Sequence, residues 1–156
     1  MILGFGSDPN AALLRQELMA SASALGHDVV DFGSDDPIYA HTAIVVAQAV
    51  VSGRLDRGVL VCGTGIGVSI AANKVPGAYC ALVSDVYQAR RAQLSNNANL
   101  IAMGAQVIGP ELAKCLLEEY LKESFDPGSR SAPKVAAITD YERTMRLNYF
   151  GAVRLT

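Results

Sequence analysis

A cysteine, Cys62, stands between an apolar run and a glycine-rich turn in Val59-Leu-Val-Cys-Gly-Thr-Gly-Ile-Gly-Val-Ser-Ile-Ala-Ala-Asn-Lys74. Gly58 to Val61 reads as a buried parallel strand; Gly63, Gly65 and Gly67 let the backbone turn sharply, and the Ala-rich stretch after them reads as a helix. At the carboxyl end of a parallel strand, just before a helix, backbone N–H groups converge on open space and stabilise an anion there. A thiol in that place is a candidate for chemistry.

Spacing discriminates between generic uses of such a loop. A Walker-type phosphate loop needs Gly-Lys-Ser/Thr, whereas Lys74 follows Asn73 and lies past the helix start. A cysteine phosphatase needs an arginine at the position held here by Val68. A dinucleotide fingerprint needs a third glycine at that same position, although Asp85 ends the next strand near the distance expected of a ribose-binding acid, which leaves that reading open.

The elements that must position this loop alternate along the chain. Ile2 to Phe5 reads as a first strand, followed by Gly6-Ser7-Asp8-Pro9-Asn10, where Asp8 or Asn10 can cap a helix to about Leu25. Asp28 to Phe32 is a second strand, and after a loop from Gly33 to Pro37 a helix covers Tyr39 to Val51, opened by Tyr39 and His41. Beyond the glycine loop come a strand from Ala78 to Val83 and a helix from Val86 to Leu94 with Arg90 and Arg91 on a solvated face. The polar connection Ser95-Asn-Asn-Ala-Asn99 then leads into a strand from Leu100 to Met103. Pro110 starts an amphipathic helix to about Lys122, a loop carries Arg130, and a last helix runs from Lys134 to about Arg146. Lys134 on the first turn is unfavourable with the helix dipole, so a local anion would explain it. This order predicts a three-layer, Rossmann-like α/β fold: an open parallel five-stranded sheet with helices on both faces and a crevice at the carboxyl ends of the first and third strands. Residues 1–146 read as one domain, and 147–156 as a short, partly apolar tail.

With 156 residues the chain is long enough to bury roughly two thirds of its unfolded surface. A net charge of −2 gives no basic field for nucleic acid, and no apolar run reaches the ~20 residues of a membrane span. No secretory leader is apparent, so the cytoplasm is expected. The cysteines, Cys62, Cys80 and Cys115, are odd in number and form no Cys-x-x-Cys pair or His cluster, which argues against a disulfide framework or a zinc site. Cys80 and Cys115 fall in apolar patterns and read as packing.

The loop Val-Cys-Gly-Thr-Gly-Ile-Gly-Val-Ser-Ile-Ala-Ala-Asn-Lys resembles the active-site loop of the ribose-5-phosphate isomerase B and galactose-6-phosphate isomerase family. Further matches follow in order: Gly6-Ser-Asp8, Tyr39-Ala-His41, Ser95-Asn-Asn-Ala-Asn99, Met103-Gly-Ala-Gln-Val-Ile-Gly109, and Arg130 with Lys134 before Val135-Ala-Ala-Ile138. They extend to roughly Glu142. The resemblance implies an aldose–ketose isomerase acting on a small phosphorylated sugar, without a metal or redox cofactor.

Such a reaction moves a proton between adjacent carbons through an enediolate, and so needs a base, donors around the oxygens and an anchor for the phosphate. Cys62 suits the base. Thr64, Asn96 and the amides of Gly63, Gly65, Ile66 and Gly67 suit the developing oxyanion; Ser69 reads as helix packing. The resemblance further assigns Asp8 to the sugar hydroxyls, Tyr39 to the sugar crevice and Arg130 with Lys134 to the phosphate, and leaves His41 open. It also implies a homodimer or homotetramer with active sites at the subunit interface.

Pro9, Ser95 and Gln106 depart from the ribose-phosphate pattern, which has histidines at the first two positions and an arginine at the third. With a serine in place of the ring-opening histidine, the chain looks closer to the erythrose-4-phosphate/erythrulose-4-phosphate branch. The alternatives are a ribose-5-phosphate isomerase and a non-catalytic sugar-phosphate or nucleotide-binding subunit.

Overall fold

Side chains alternate across a strand, and in the three central strands of this chain both sets are almost wholly buried, as a sheet covered on two faces requires. The computed structural model describes residues 1–33 and 35–153. Strands β1 (Ile2–Ser7), β2 (Asp28–Asp31), β3 (Arg57–Cys62), β4 (Cys80–Leu82) and β5 (Leu100–Gly104) form one parallel sheet in the order β2-β1-β3-β5-β4. Helices α1 (Ala12–Ala24), α2 (Tyr39–Val51), α3 (Ile66–Ala72), α4 (Val86–Leu94), α5 (Pro110–Lys122) and α6 (Ala132–Val153) alternate with them.

One face of the sheet presents Leu3, Phe5, Val59, Val61, Ile101 and Met103 to α1, α4 and α5; the other presents Leu60, Cys62, Leu100 and Ala102 to α2 and α3. Cys62 therefore lies on the α2/α3 side. The order reverses between β1 and β3, so the crevice expected from the sequence falls at the carboxyl ends of those strands.

Several boundaries differ from the sequence expectation. β1 continues to Ser7 because Ser7 is still in register with Val61. β3 ends on Cys62 rather than before it, and β4 is shorter, reduced to Cys80–Leu82 at the sheet edge. Side chains complete that edge. Asn73 pairs with the Cys80 N–H (2.8 Å) and C=O (2.9 Å), while Asn99 accepts from the Tyr79 N–H (2.8 Å) and donates to the Gly77 carbonyl (2.9 Å). The last helix runs on to Val153, since no Gly or Pro interrupts it between Lys134 and Phe150. The expected start of a tail at 147 thus falls inside α6, and 154–156 lie outside the described residues.

Cys115, expected in packing, is exposed. The buried stripe of α5 is Ala113, Leu116, Leu117, Tyr120 and Leu121, and position 115 falls outside it.

Candidate active site

The turn after β3 is built around the thiol. Gly65 takes φ +78°, where a side chain would also meet the Met103 carbonyl carbon at 2.8 Å. That conformation aims the Gly65 N–H at Cys62 Sγ, 3.1 Å away. The Ile66 N–H donates to Thr64 Oγ1 (3.3 Å), which leaves the Thr64 hydroxyl its own proton to donate outward. From below, the Ala105 and Gln106 N–H groups hold the carbonyls of Cys62 and Gly63, each at 2.9 Å. The Gln106 amide lies against Gly63, its Oε1 3.4 Å from where a β-carbon would stand.

Tyr39, the first residue of α2, brings its ring against Gly67: a β-carbon there would lie 2.7 Å from the phenol oxygen, so glycine is what allows the approach. Asp8 follows the last residue of β1, and its N–H donates to the Val61 carbonyl (3.3 Å). One carboxylate oxygen accepts from the Ala11 N–H (3.0 Å) at a short 3₁₀ turn, while the other has no hydrogen-bond donor among the described residues. Asp8 is thus both a cap and a residue of the crevice. Asp8, Tyr39, Cys62, Thr64 and the loop residues Gly63, Gly65, Ile66 and Gly67 gather at one end of the sheet.

The two buried cysteines differ. Burial pushes the Cys80 thiol up to about 12, with Ser69 as a lesser, opposing influence, so it stays protonated. Ser69 donates to the Cys80 carbonyl (3.4 Å), the packing role expected of it. Cys62, 4% exposed, instead has a loop amide on its sulfur.

The structure does not bring the remaining candidates to this loop within one chain. Arg130 and Lys134 line a cleft of about 750 Å³ with Arg91, Leu94, Asp126, Ser129 and Ser131, and no residue of the Cys62 loop belongs to it. A smaller pocket of about 230 Å³ lies at Thr64 and Ile66, walled by Leu82, Val83 and Val107. Ser95 caps α4 directly after Leu94, a residue of the larger cleft; neither Ser95 nor Asn96 itself lines that cleft.

The asparagine-rich connection divides by role. Asn97, at φ +50°, closes α4 with its N–H on the Gln93 carbonyl (3.1 Å), and Asn99 clamps β4. The side chains of Ser95 and Asn96 have no protein partner among the described residues and remain available. Arg90 pairs with Glu119, as a surface residue would. Arg91, assigned to the same solvated face, instead lines the cleft, and among the described residues no carboxylate forms an ion pair with Arg91, Arg130 or Lys134. Its spacing four before Ser95, on one helix face, was the available signal. His41 pairs with Asp36 (2.9 Å) at the exposed start of α2.

A parallel sheet covered on both faces, with a thiol and a glycine loop at its switch point, has the layout of an α/β protein that takes its ligand at the carboxyl ends of its strands. Residues 3–138 match the model of the Ribose/Galactose Isomerase family. The chain is 44% identical to the D-erythrulose-4-phosphate isomerase of Pectobacterium atrosepticum over 90% of its length and 94% of that protein. It is 38% identical to ribose-5-phosphate isomerase B of Escherichia coli, covering 90% and 96%. The structure of ribose-5-phosphate isomerase B from Clostridium thermocellum superposes with a TM-score of 0.87 at 39% identity, over 93% of this chain and 99% of the other. The chain belongs to the Ribose/Galactose Isomerase family, and is accordingly a sugar-phosphate isomerase of the aldose–ketose type.

Proposed function

We propose that this enzyme interconverts D-erythrose 4-phosphate and D-erythrulose 4-phosphate, with Cys62 as the proton-transferring base. The observation that carries the chemistry is the Gly65 N–H on Cys62 Sγ at 3.1 Å, in a loop that also offers the Thr64 hydroxyl. Cys62 takes the proton from C2 of the aldose and returns it to C1; Thr64, Asn96 and the loop amides hold the two oxygens while charge develops on them. Asp8 and Tyr39 orient the hydroxyls, Ser95 lies beside the sugar, and Arg130 and Lys134, joined by Arg91, grip the phosphate. Three cations line one cleft with a single carboxylate, Asp126, which forms an ion pair with none of them, and a bound dianion would relieve their mutual repulsion.

The choice of a four-carbon sugar rests on Ser95 and on similarity to the erythrulose-phosphate enzyme. A pentose 5-phosphate closes into a furanose through its C4 hydroxyl and gains from an acid–base group that opens the ring. In an aldotetrose 4-phosphate that hydroxyl carries the phosphate, so no such ring forms and serine suffices. Side-by-side kcat/KM values for erythrose 4-phosphate and ribose 5-phosphate test this: the tetrose should be strongly preferred, and Ser95→His should change its turnover little. A clear preference for ribose 5-phosphate would replace the tetrose reading with the pentose one.

The active site is completed by a second copy of the chain, in a homodimer or homotetramer. Two observations support this: the candidate residues fall into two separate groups on one chain, and α6 exposes Ile138, Tyr141, Met145 and Leu147. Free cysteines at 62, 80 and 115 support a reducing compartment, the cytoplasm.

A further inference from the structure

Among the described residues, the charged side chains that are buried are Asp8 and Arg15. Arg15, on α1, is 4% exposed. Its guanidinium donates from one terminal nitrogen to Ser7 Oγ and from the other to Asp31 Oδ2, both at 3.3 Å; Nε lies 3.2 Å from Asp31 Oδ1 without the alignment of a hydrogen bond. Asp31 also accepts from the Gly33 N–H (2.8 Å), and the Gly33 carbonyl accepts from the Ser7 N–H (3.4 Å). Arg15, Ser7, Gly33 and Asp31 thus form a closed ring of polar contacts across the carboxyl ends of β1 and β2.

Stability gives weak reason for a guanidinium in such a place. Desolvation offsets much of the attraction in a buried ion pair, and apolar side chains of similar volume often serve as well. What the ring does hold is Ser7, and the next residue is Asp8.

We infer that Arg15 is a positioning residue for the isomerisation: by clamping Ser7 to Asp31 it fixes the backbone from which Asp8 meets the substrate. This rests on the reading of Asp8 as a hydroxyl-orienting group. With one Asp8 oxygen held by the Ala11 N–H, the carboxylate cannot turn freely, and the direction in which it offers its other oxygen to the sugar is set by the backbone at Ser7 and Asp8. Misplacement by about 1 Å can cost roughly 10²-fold in rate. Arg15 itself touches no reacting atom.

A double-mutant cycle tests the inference, with kcat and KM measured on the sugar phosphate turned over fastest and folding checked by circular dichroism. Arg15→Met should lower kcat/KM by roughly 10- to 100-fold, with Arg15→Lys recovering part of the loss. In an Asp8→Asn background the same Arg15→Met change should matter less than about twofold, because the group it positions is already disabled. Equal losses in both backgrounds overturn the inference, since a purely structural role would affect both alike. A folded Arg15→Met enzyme with wild-type kcat/KM overturns it too. If Arg15→Met does not fold, Asp31→Asn, which loosens the clamp from its other side, takes its place with the same expectations. A fully active Asp8→Asn enzyme would bring down the reading of Asp8 and the inference with it. That result is distinct from an impaired Asp8→Asn enzyme in which the Arg15 loss is merely additive.

Discussion

Cys62 and Cys80 sit on the same side of the sheet and are both buried, yet their surroundings suit them to different tasks. Cys80 is packed among apolar groups, and burial holds its thiol in the protonated form. Cys62 ends a strand at the switch point and receives an amide N–H from a residue that only glycine's freedom allows at φ +78°. Replacing Cys62 by Ser keeps the size but substitutes a far weaker acid, so kcat should fall by at least about 10²-fold while sugar-phosphate binding persists. Calorimetric titration of the variant with substrate separates the two effects, and near-normal turnover would exclude Cys62 as the base. Gly67 offers a second check. Gly67→Ala would drive a methyl into the Tyr39 ring, so KM should rise with little loss of fold, as read by kinetics beside thermal melting.

At the scale of elements, the apolar strands, most helix starts and the glycine loop were legible in the sequence, because each is dictated by local residue type. Tyr39–Val51 falls where its apolar residues indicate, and Val86–Leu94 starts after Asp85, whose side chain accepts from the Gln88 N–H. Less legible were features that depend on what a neighbour supplies. Nothing local announces that β4 is short, since its edge is completed by the side chains of Asn73 and Asn99. Arg91 and Arg90 are adjacent and alike in sequence, and only the position of Glu119 decides which is occupied. The cations proposed to grip the phosphate follow the same logic. Arg130→Ala, Lys134→Ala or Arg91→Ala should each raise KM by the equivalent of roughly 1–3 kcal/mol, the worth of a charge-assisted contact, and weaken competition by inorganic phosphate. Unchanged KM and phosphate inhibition in all of them would move the anion site elsewhere.

Helix α6 is fastened to the sheet edge through Glu142, which accepts from the Gly77 N–H (3.0 Å) and the Tyr79 hydroxyl (2.9 Å). Burial, and then the Glu142 carboxylate, push the Tyr79 phenol up to about 12 from 10. A folded-state pKa above the unfolded one contributes stability that is present below pH 10 and lost as pH rises through about 12. Thermal melting across that window should therefore show a loss, and Tyr79→Phe, which cannot ionise, should show a smaller one. Equal losses would mean that the fastening does not depend on the phenol.

For the whole molecule the main question is why the residues suited to one reaction lie in two places. Asp8, Tyr39, Cys62 and Thr64 are gathered at the ends of β1 and β3, whereas Arg130 and Lys134 line a cleft beside the end of α4. A proton-transfer site without its phosphate anchor would lose most of the binding energy that orients a small sugar. The proposed symmetric pair of chains would solve this, because in a two-fold assembly the cleft of each copy can face the thiol of the other. The prediction is complementation between two impaired proteins, assayed at a substrate concentration well below the KM of Arg130→Ala. Cys62→Ser subunits keep the cations and Arg130→Ala subunits keep the thiol. If each site takes its thiol from one chain and its cations from another, random mixing of the two after unfolding and refolding should restore roughly a quarter of wild-type activity. Half of the dimers are then mixed, and each mixed dimer holds one intact and one doubly impaired site. If thiol and cations of one site belong to the same chain, no mixture gains an intact site, and activity stays at the average of the two variants. Light scattering coupled to size exclusion on the same samples establishes that the subunits reassembled, so a failure to recover activity points to the geometry of the site.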